Sequence, residues 1–141
     1  MILNLFQGLF PCSKSCKLND IKIGLASSST IEHIELITSK LNIIDYFIIK
    51  ISGDMVKKGK PEPDIFIEAA NKLAVSPNHC VVIEDTENGS KAAVSGNMKC
   101  VGFQNKNSGN QDLSRADLIV ESLTDLNVNM LKSMFKEVIY N

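Results

Sequence analysis

Short apolar runs alternate with amphipathic stretches along this chain, and that alternation sets the predicted elements. Ile21–Ala26 (IKIGLA) reads as a strand running into Ser27-Ser28-Ser29-Thr30, a polar cluster suited to capping a helix. Beyond it, Ile31, Ile34, Ile37 and Leu41 recur at a helical period. Tyr46–Ile51 (YFIIKI) is the second predicted strand, closed by Ser52-Gly53-Asp54. A loop rich in breakers and charge, Lys57–Pro63 (KKGKPEP), leads into a helix predicted over Asp64–Leu73. Ile65, Phe66, Ala69, Ala70 and Leu73 form its apolar side. Val81–Ile83 is the third strand, and Gly89–Ser95 a short helix stopped by Gly96. Cys100–Phe103 is the fourth strand, followed by a polar loop, Gln104–Gly109. Ala116–Val120 is the fifth, and Leu123–Val138 reads as a terminal helix. Strands alternating with helices call for an α/β fold, a parallel sheet with helices on both faces.

Bulk properties narrow the function classes. A chain of 141 residues suits one domain. With 44% hydrophobic and 22% charged residues it has the composition of a soluble globular protein. A net charge of -1 offers no polybasic surface for nucleic acid or anionic lipid. No apolar stretch reaches the ~20 residues of a membrane helix. The first residues, MILNLFQGLFPCSKSC, are apolar but lack a basic start and a small-residue cleavage pattern, so no targeting signal is expected. Pro11 and the two Ser-flanked cysteines argue against a helix there. Cys12 and Cys16 have no second ligand pair nearby, which does not suit zinc. Cys80 and Cys100 open apolar runs and read as buried small hydrophobes. This cysteine usage is not that of a secreted disulfide framework, so a cytoplasmic location is expected.

Candidate chemistry gathers at strand ends. In CVVIED an apolar run stops at two adjacent carboxylates, Glu84 and Asp85. The carboxyl ends of parallel strands open the ligand crevice of an α/β sheet, and carboxylate oxygens there suit a hard cation such as Mg²⁺. The plainer alternative is a pair of acids favoured by a helix dipole. Ser27, with the free N–H groups of the next helix, would suit a phosphate, or would merely cap that helix. Lys60, in a loop stiffened by Pro61 and Pro63, would neutralise charge on a transferring phosphoryl group, or would be one solvated lysine beside Lys57 and Lys58. His33 and His79 lack ligand spacing and read as surface residues, and Asp54 reads as a turn residue.

Taken in this order, Ser27 in GLASSS, Lys60 in KKGKPEPDIF and the acidic pair in VVIEDTENGSKAA resemble the haloacid dehalogenase (HAD) superfamily. More narrowly they resemble its β-phosphoglucomutase-like branch of phosphatases and phosphomutases. Gly96–Phe103 (GNMKCVGF) and ADLIV also fit, and the resemblance covers Ile21–Leu126. It implies a three-layer, Rossmann-like core acting with Mg²⁺ on a small phosphorylated metabolite, sugar-phosphate-like, and not on nucleic acid or membranes. It implies that Ser27, Ser28 and Lys60 bind the phosphoryl group, Lys60 stabilising its charge. Glu84 and Asp85 would hold the metal, Asp85 more directly. Two departures stand out. The family's nucleophile comes from a D-x-D-x-T-like motif on a central first strand, and no D-x-D occurs in this chain. The family's helical cap lies between the first and second motifs, where only a short stretch is present. Residues 1–20 are therefore read as an atypical segment, either a surrogate strand or an artefact, and residues 21–141 as the core domain. The central strand is expected to be missing unless Ile2–Phe6 fills its place. Without a nucleophile, the enzyme reading stands beside a non-catalytic one in which the chain binds metal and phosphate without turnover.

Overall fold

Successive residues of a strand point to opposite faces of the sheet, so a strand apolar at every position needs cover on both sides. Val81–Ile83 is such a run, and with Glu84 it forms a strand in which every residue is buried. The computed structural model, which describes residues 2–3 and 10–136, supplies that cover as two helical layers. Among the described residues six parallel strands form the sheet: β1 (Ile2–Leu3), β2 (Gly24–Ser27), β3 (Ile49–Ser52), β4 (Val81–Glu84), β5 (Lys99–Phe103) and β6 (Leu118–Val120). The α-helices among the described residues are α1 (Phe10–Leu18), α2 (Ile31–Lys40), α3 (Asp64–Leu73), α4 (Glu87–Ser95) and α5 (Val128–Ser133). None of them is long and apolar enough to cross a membrane.

Residue parity sorts the side chains into two cores. Leu25, Val81, Ile83 and Val101 face a core shared with Cys16 of α1, Ile34 of α2 and Leu131 of α5. Ala26, Val82 and Cys100 face the other, shared with Phe66 of α3 and Ala92 of α4. The spatial order β3-β2-β1-β4-β5-β6 reverses direction at the β1/β4 boundary. In open α/β sheets a crevice forms outside the carboxyl ends of the strands at such a switch point.

Local chemistry sets the element ends. Thr30 caps α2, its hydroxyl accepting from the His33 N–H at 3.3 Å. α3 spans the predicted range and stops where Ala74 turns left-handed, at φ 52°. Lys22 Nζ donates to the freed Leu73 carbonyl at 2.8 Å, which ties that helix end to the segment leading into β2.

The structure corrects the expectations in three places. Residues 10–18 are helical despite Pro11. Proline is tolerated in a first helical turn, whose N–H groups have no intrahelical partner. Cys12 and Cys16, four apart, then share the buried face of α1. The second predicted strand starts late, because Ile44–Tyr46 is a 3₁₀ turn whose geometry uses the Tyr46 and Phe47 N–H groups locally. The predicted terminal helix is broken: Leu123–Asp125 is a 3₁₀ turn, and Asn127 caps a new helix by accepting from the Met130 N–H at 3.0 Å. Its last two predicted positions lie outside the described residues.

The central position of the sheet is occupied. Ile2 and Leu3 pair in parallel with Gly24 and Leu25 on one side and with Val82 and Ile83 on the other. The expected gap between the motif strands is therefore bridged over two residues. The remainder of the proposed surrogate strand, residues 4–6, lies outside the described residues. Leu3 is flanked on both sides, so its N–H faces a partner strand, and proline there removes a ladder bond. Leu3→Pro is expected to lower stability by about 1–3 kcal/mol in urea denaturation. An unchanged midpoint would place this segment outside the sheet.

Candidate functional site

Strand register lines up the candidate residues along one edge. Ser27 aligns with Ser52 of β3, and Glu84 with Gly102 of β5. Leu3 of β1 aligns with both Leu25 and Ile83, so Ser27 and Glu84 end the strands on either side of β1. Two inter-strand steps put their backbones roughly 9 to 10 Å apart across the sheet.

Glu84 is fully buried, at 0% exposure. A carboxylate in that position requires partners, because isolated buried charge costs several kcal/mol. Lys60, from the loop before α3, donates Nζ to Glu84 Oε1, and its side chain is itself only 8% exposed. The same ammonium lies 4.9 Å from the centre of the Phe66 ring, a second favourable contact for a cation. Thr86 serves the other oxygen: its N–H and Oγ donate to Glu84 Oε2 at 3.3 and 3.0 Å. The Thr86 hydroxyl also caps α4, accepting from the Gly89 N–H at 3.0 Å. Gly89 lies flat on the carboxylate, and a Cβ there would fall inside it.

Asp85 is the next residue, just past the strand end, and its surroundings differ. It is buried, yet no cationic side chain pairs with it among the described residues. Its Oδ2 accepts from Asn105 Nδ2 at 2.9 Å and from Ser108 Oγ. Both donors come from the loop between β5 and β6. Asp85 and this loop line a cavity of about 210 Å³ into which Lys106 and Gln111 also face.

Ser27 is buried, and its Oγ accepts from the Ser29 N–H at 3.2 Å. That turn is braced from β3: Ser52 Oγ donates to the Ser29 carbonyl at 2.8 Å. Gly53 also approaches the Ser28 backbone so closely that a Cβ would come within 3.1 Å of Ser28 Cα. Ser28 is exposed at the mouth of the edge. The structure thus joins Lys60 directly to Glu84, sets Asp85 beside them, and places Ser27 and Ser28 beyond β1 on the same edge.

Among the described residues no group of three or more His, Cys, Asp or Glu side chains converges on one point. His33 and His79 are exposed, as read from the sequence. The four thiols are free and buried. Burial, then the neighbouring Glu84 and Asp117 charges, push Cys100 up to about 12, which removes it as a nucleophile at neutral pH. The hydrogen bond between Cys12 and Cys16 raises the first thiol's pKa and lowers the second's. Asn105, Ser108 and Thr86 were not singled out from the sequence. The one available signal was the density of amides and hydroxyls in QNKNSGNQ.

A family model described as "Hydrolase: haloacid dehalogenase-like hydrolase" matches residues 3–97. Beta-phosphoglucomutase of Bacillus subtilis (strain 168) is 40% identical over 121 residues, covering 86% of this chain and 51% of that protein. The crystal structure of beta-phosphoglucomutase from Clostridium difficile superposes with a TM-score of 0.81 at 32% identity, covering 93% of this chain and 56% of that one. CbbY from Rhodobacter sphaeroides, in complex with xylulose-(1,5)bisphosphate, superposes with a TM-score of 0.83 at 25% identity, covering 91% and 59%. The chain spans about half the length of the curated relatives it matches.

The Gly89–Glu84 contact is open to a direct test. Gly89→Ala forces a methyl into a carboxylate held on both oxygens, and is expected to cost about 1–3 kcal/mol by urea denaturation. Gly59→Ala is the control, since nothing lies within 4 Å of its Cβ position, and its midpoint should barely move.

Proposed function

The chain belongs to the haloacid dehalogenase-like hydrolase family, in its β-phosphoglucomutase-like branch, and from that premise we propose that its carboxyl-edge site handles the phosphoryl group of a small phosphorylated metabolite, with Mg²⁺, for phosphoryl transfer. The observation that carries this reading is the Lys60 ammonium, fixed by a fully buried carboxylate immediately beside a second carboxylate that has no cationic partner among the described residues. Lys60 presents positive charge to the transferring group without reorganising. Ser27 and Ser28 offer hydroxyl and backbone donors from the far side of β1. Asp85 offers carboxylate oxygen to the metal, and Glu84 sits behind it, committed to Lys60 and Thr86.

This donor set fits Mg²⁺. That ion takes one or two protein carboxylates and fills its remaining positions with water and phosphate oxygens, so it needs no cage of protein ligands. When bound, it supplies a Lewis-acid contact that polarises phosphoryl oxygens. The sugar-phosphate class is supported by the relatives, a β-phosphoglucomutase and a protein bound to xylulose-(1,5)bisphosphate. Four free, buried cysteines accord with a cytoplasmic setting.

A second reading, binding without turnover, is favoured by one sequence fact: the D-x-D pattern from which the family draws its nucleophile does not occur in these 141 residues. One set of measurements separates the two. The purified chain is assayed for hydrolysis of p-nitrophenyl phosphate with Mg²⁺, and for inorganic phosphate binding by calorimetry. Turnover that is lost in Asp85→Ala establishes transfer. Phosphate binding with no turnover establishes the second reading. Lys60→Met is expected to weaken phosphate binding about 10-fold or more, the equivalent of a charge-assisted hydrogen bond. Because that change removes the Lys60 cation from Glu84, Lys60→Met combined with Glu84→Gln is measured alongside it. No phosphate binding by the unaltered chain, with or without Mg²⁺, would overturn both readings.

A further inference from the structure

The Asp85 carboxylate is held by one oxygen only. Asn105 Nδ2 and Ser108 Oγ both donate to Oδ2, while Oδ1 accepts no hydrogen bond among the described residues. The two donors are themselves fixed. Asn105 Oδ1 accepts from the Asn107 N–H at 3.0 Å, which decides the orientation of the amide and turns its NH₂ toward Asp85. The Ser108 N–H donates to the Asn105 carbonyl at 3.0 Å. Gln111 Nε2 donates to the Ser108 carbonyl at 2.9 Å, and Gln111 Oε1 accepts from the Glu87 N–H at 3.0 Å, so the loop is pinned to the first turn of α4. Gly109, directly after Ser108, has φ 71° and ψ -160°, a backbone region open in practice only to glycine. The chain therefore reverses at that point by design of its sequence, and the reversal brings Gln111 back under Ser108.

We infer that the Asn105–Gln111 loop is a positioning clamp for Asp85, in which Asn105 and Ser108 fix the carboxylate so that its free oxygen is presented to a hard divalent cation. The inference rests on the reading that Asp85 holds such a cation. Neither residue reaches the metal; both act through the carboxylate. A carboxylate free to rotate must lose that freedom when it binds a cation, whereas one already held by two donors on the other oxygen does not. Hydrogen bonds to ligating carboxylates raise metal affinity in this way, and losing such a partner typically costs 10–100-fold. Of the pair, Asp85 is the carboxylate that these two donors hold, while Glu84 is tied to Lys60 and Thr86.

The test uses the full chain and Mn²⁺ alone, followed by its electron paramagnetic resonance signal, with Mg²⁺ added to displace it. Ser108→Ala and Asn105→Ala are each expected to weaken Mn²⁺ binding by roughly 10-fold to 100-fold. The melting temperature of the metal-free chain should stay within a few degrees of the unaltered protein. Ser108→Thr keeps the hydroxyl and should retain most of the affinity. Gln111→Ala, which does not touch Asp85, should lower affinity by a smaller factor. Unaltered affinity in both Ser108→Ala and Asn105→Ala, with binding abolished in Asp85→Asn, overturns the clamp and leaves Asp85 as the cation site. An affinity loss in Ser108→Thr as large as in Ser108→Ala, accompanied by a fall in metal-free melting temperature, also overturns it, since a merely structural loop behaves that way. No Mn²⁺ binding by the unaltered chain overturns the clamp together with the reading beneath it.

Discussion

A carboxylate with no access to solvent sits at the end of the fourth strand, and much of the local architecture answers to it. Glu84 lies at the strand position whose parity points into the α3/α4 layer, an otherwise apolar core. Leaving that charge alone would cost more than most single interactions return, so the chain surrounds it. Lys60 comes from 24 residues earlier, Thr86 from the capping turn just after, and Gly89 supplies an absence of side chain where the carboxylate needs room. Each of these also does something for the fold. Thr86 starts α4, Gly89 lets that helix seat against the strand, and the Lys60 loop leads into α3. The ion pair thus locks the beginnings of two helices to the end of one strand.

The same arrangement explains how two adjacent carboxylates come to differ. Strand alternation turns Glu84 inward toward one helical layer, and Asp85, one residue on, leaves the strand toward the loop after β5. Glu84 is neutralised by a permanent internal cation. Among the described residues Asp85 is met only by neutral donors, an amide and a hydroxyl. The two adjacent carboxylates are separated in their surroundings by the pleat of the strand and by what each face contains.

How far this was legible in the sequence follows the range of the interactions. Elements set by local rules were readable: α3 has the predicted bounds because its apolar residues keep a helical period to Leu73, and Thr30 caps α2 because hydroxyls favour that position. The candidacy of Ser27, Glu84 and Asp85 was readable from their places at or just past strand ends, and that of Lys60 from its proline-stiffened loop. Helix α1 is hidden because proline and serine signal a break except in a first turn, and the four-residue spacing of Cys12 and Cys16 marks a buried helical face only once the helix is known. Asn105 and Ser108 were missed for a different reason. They meet Asp85 across 20 and 23 residues of sequence, and nothing in a local pattern records which carboxylate a polar loop will find.

The sheet adds a constraint on where any missing chemistry could act. β1 is only two residues long among the described positions, yet it carries pairing on both edges and stands between the Ser27 and Glu84 strands. Parallel strands all deliver their carboxyl ends to one edge, and the crevice there lies between Ser27 and the Lys60–Glu84 pair. Pairing on both sides of β1 leaves a gap of roughly 9 to 10 Å between the two fixed strand ends that flank it. A group delivered there meets Lys60 and Asp85 already in place. The Lys60–Glu84 pair is made of residues that the fold must hold still for its own stability.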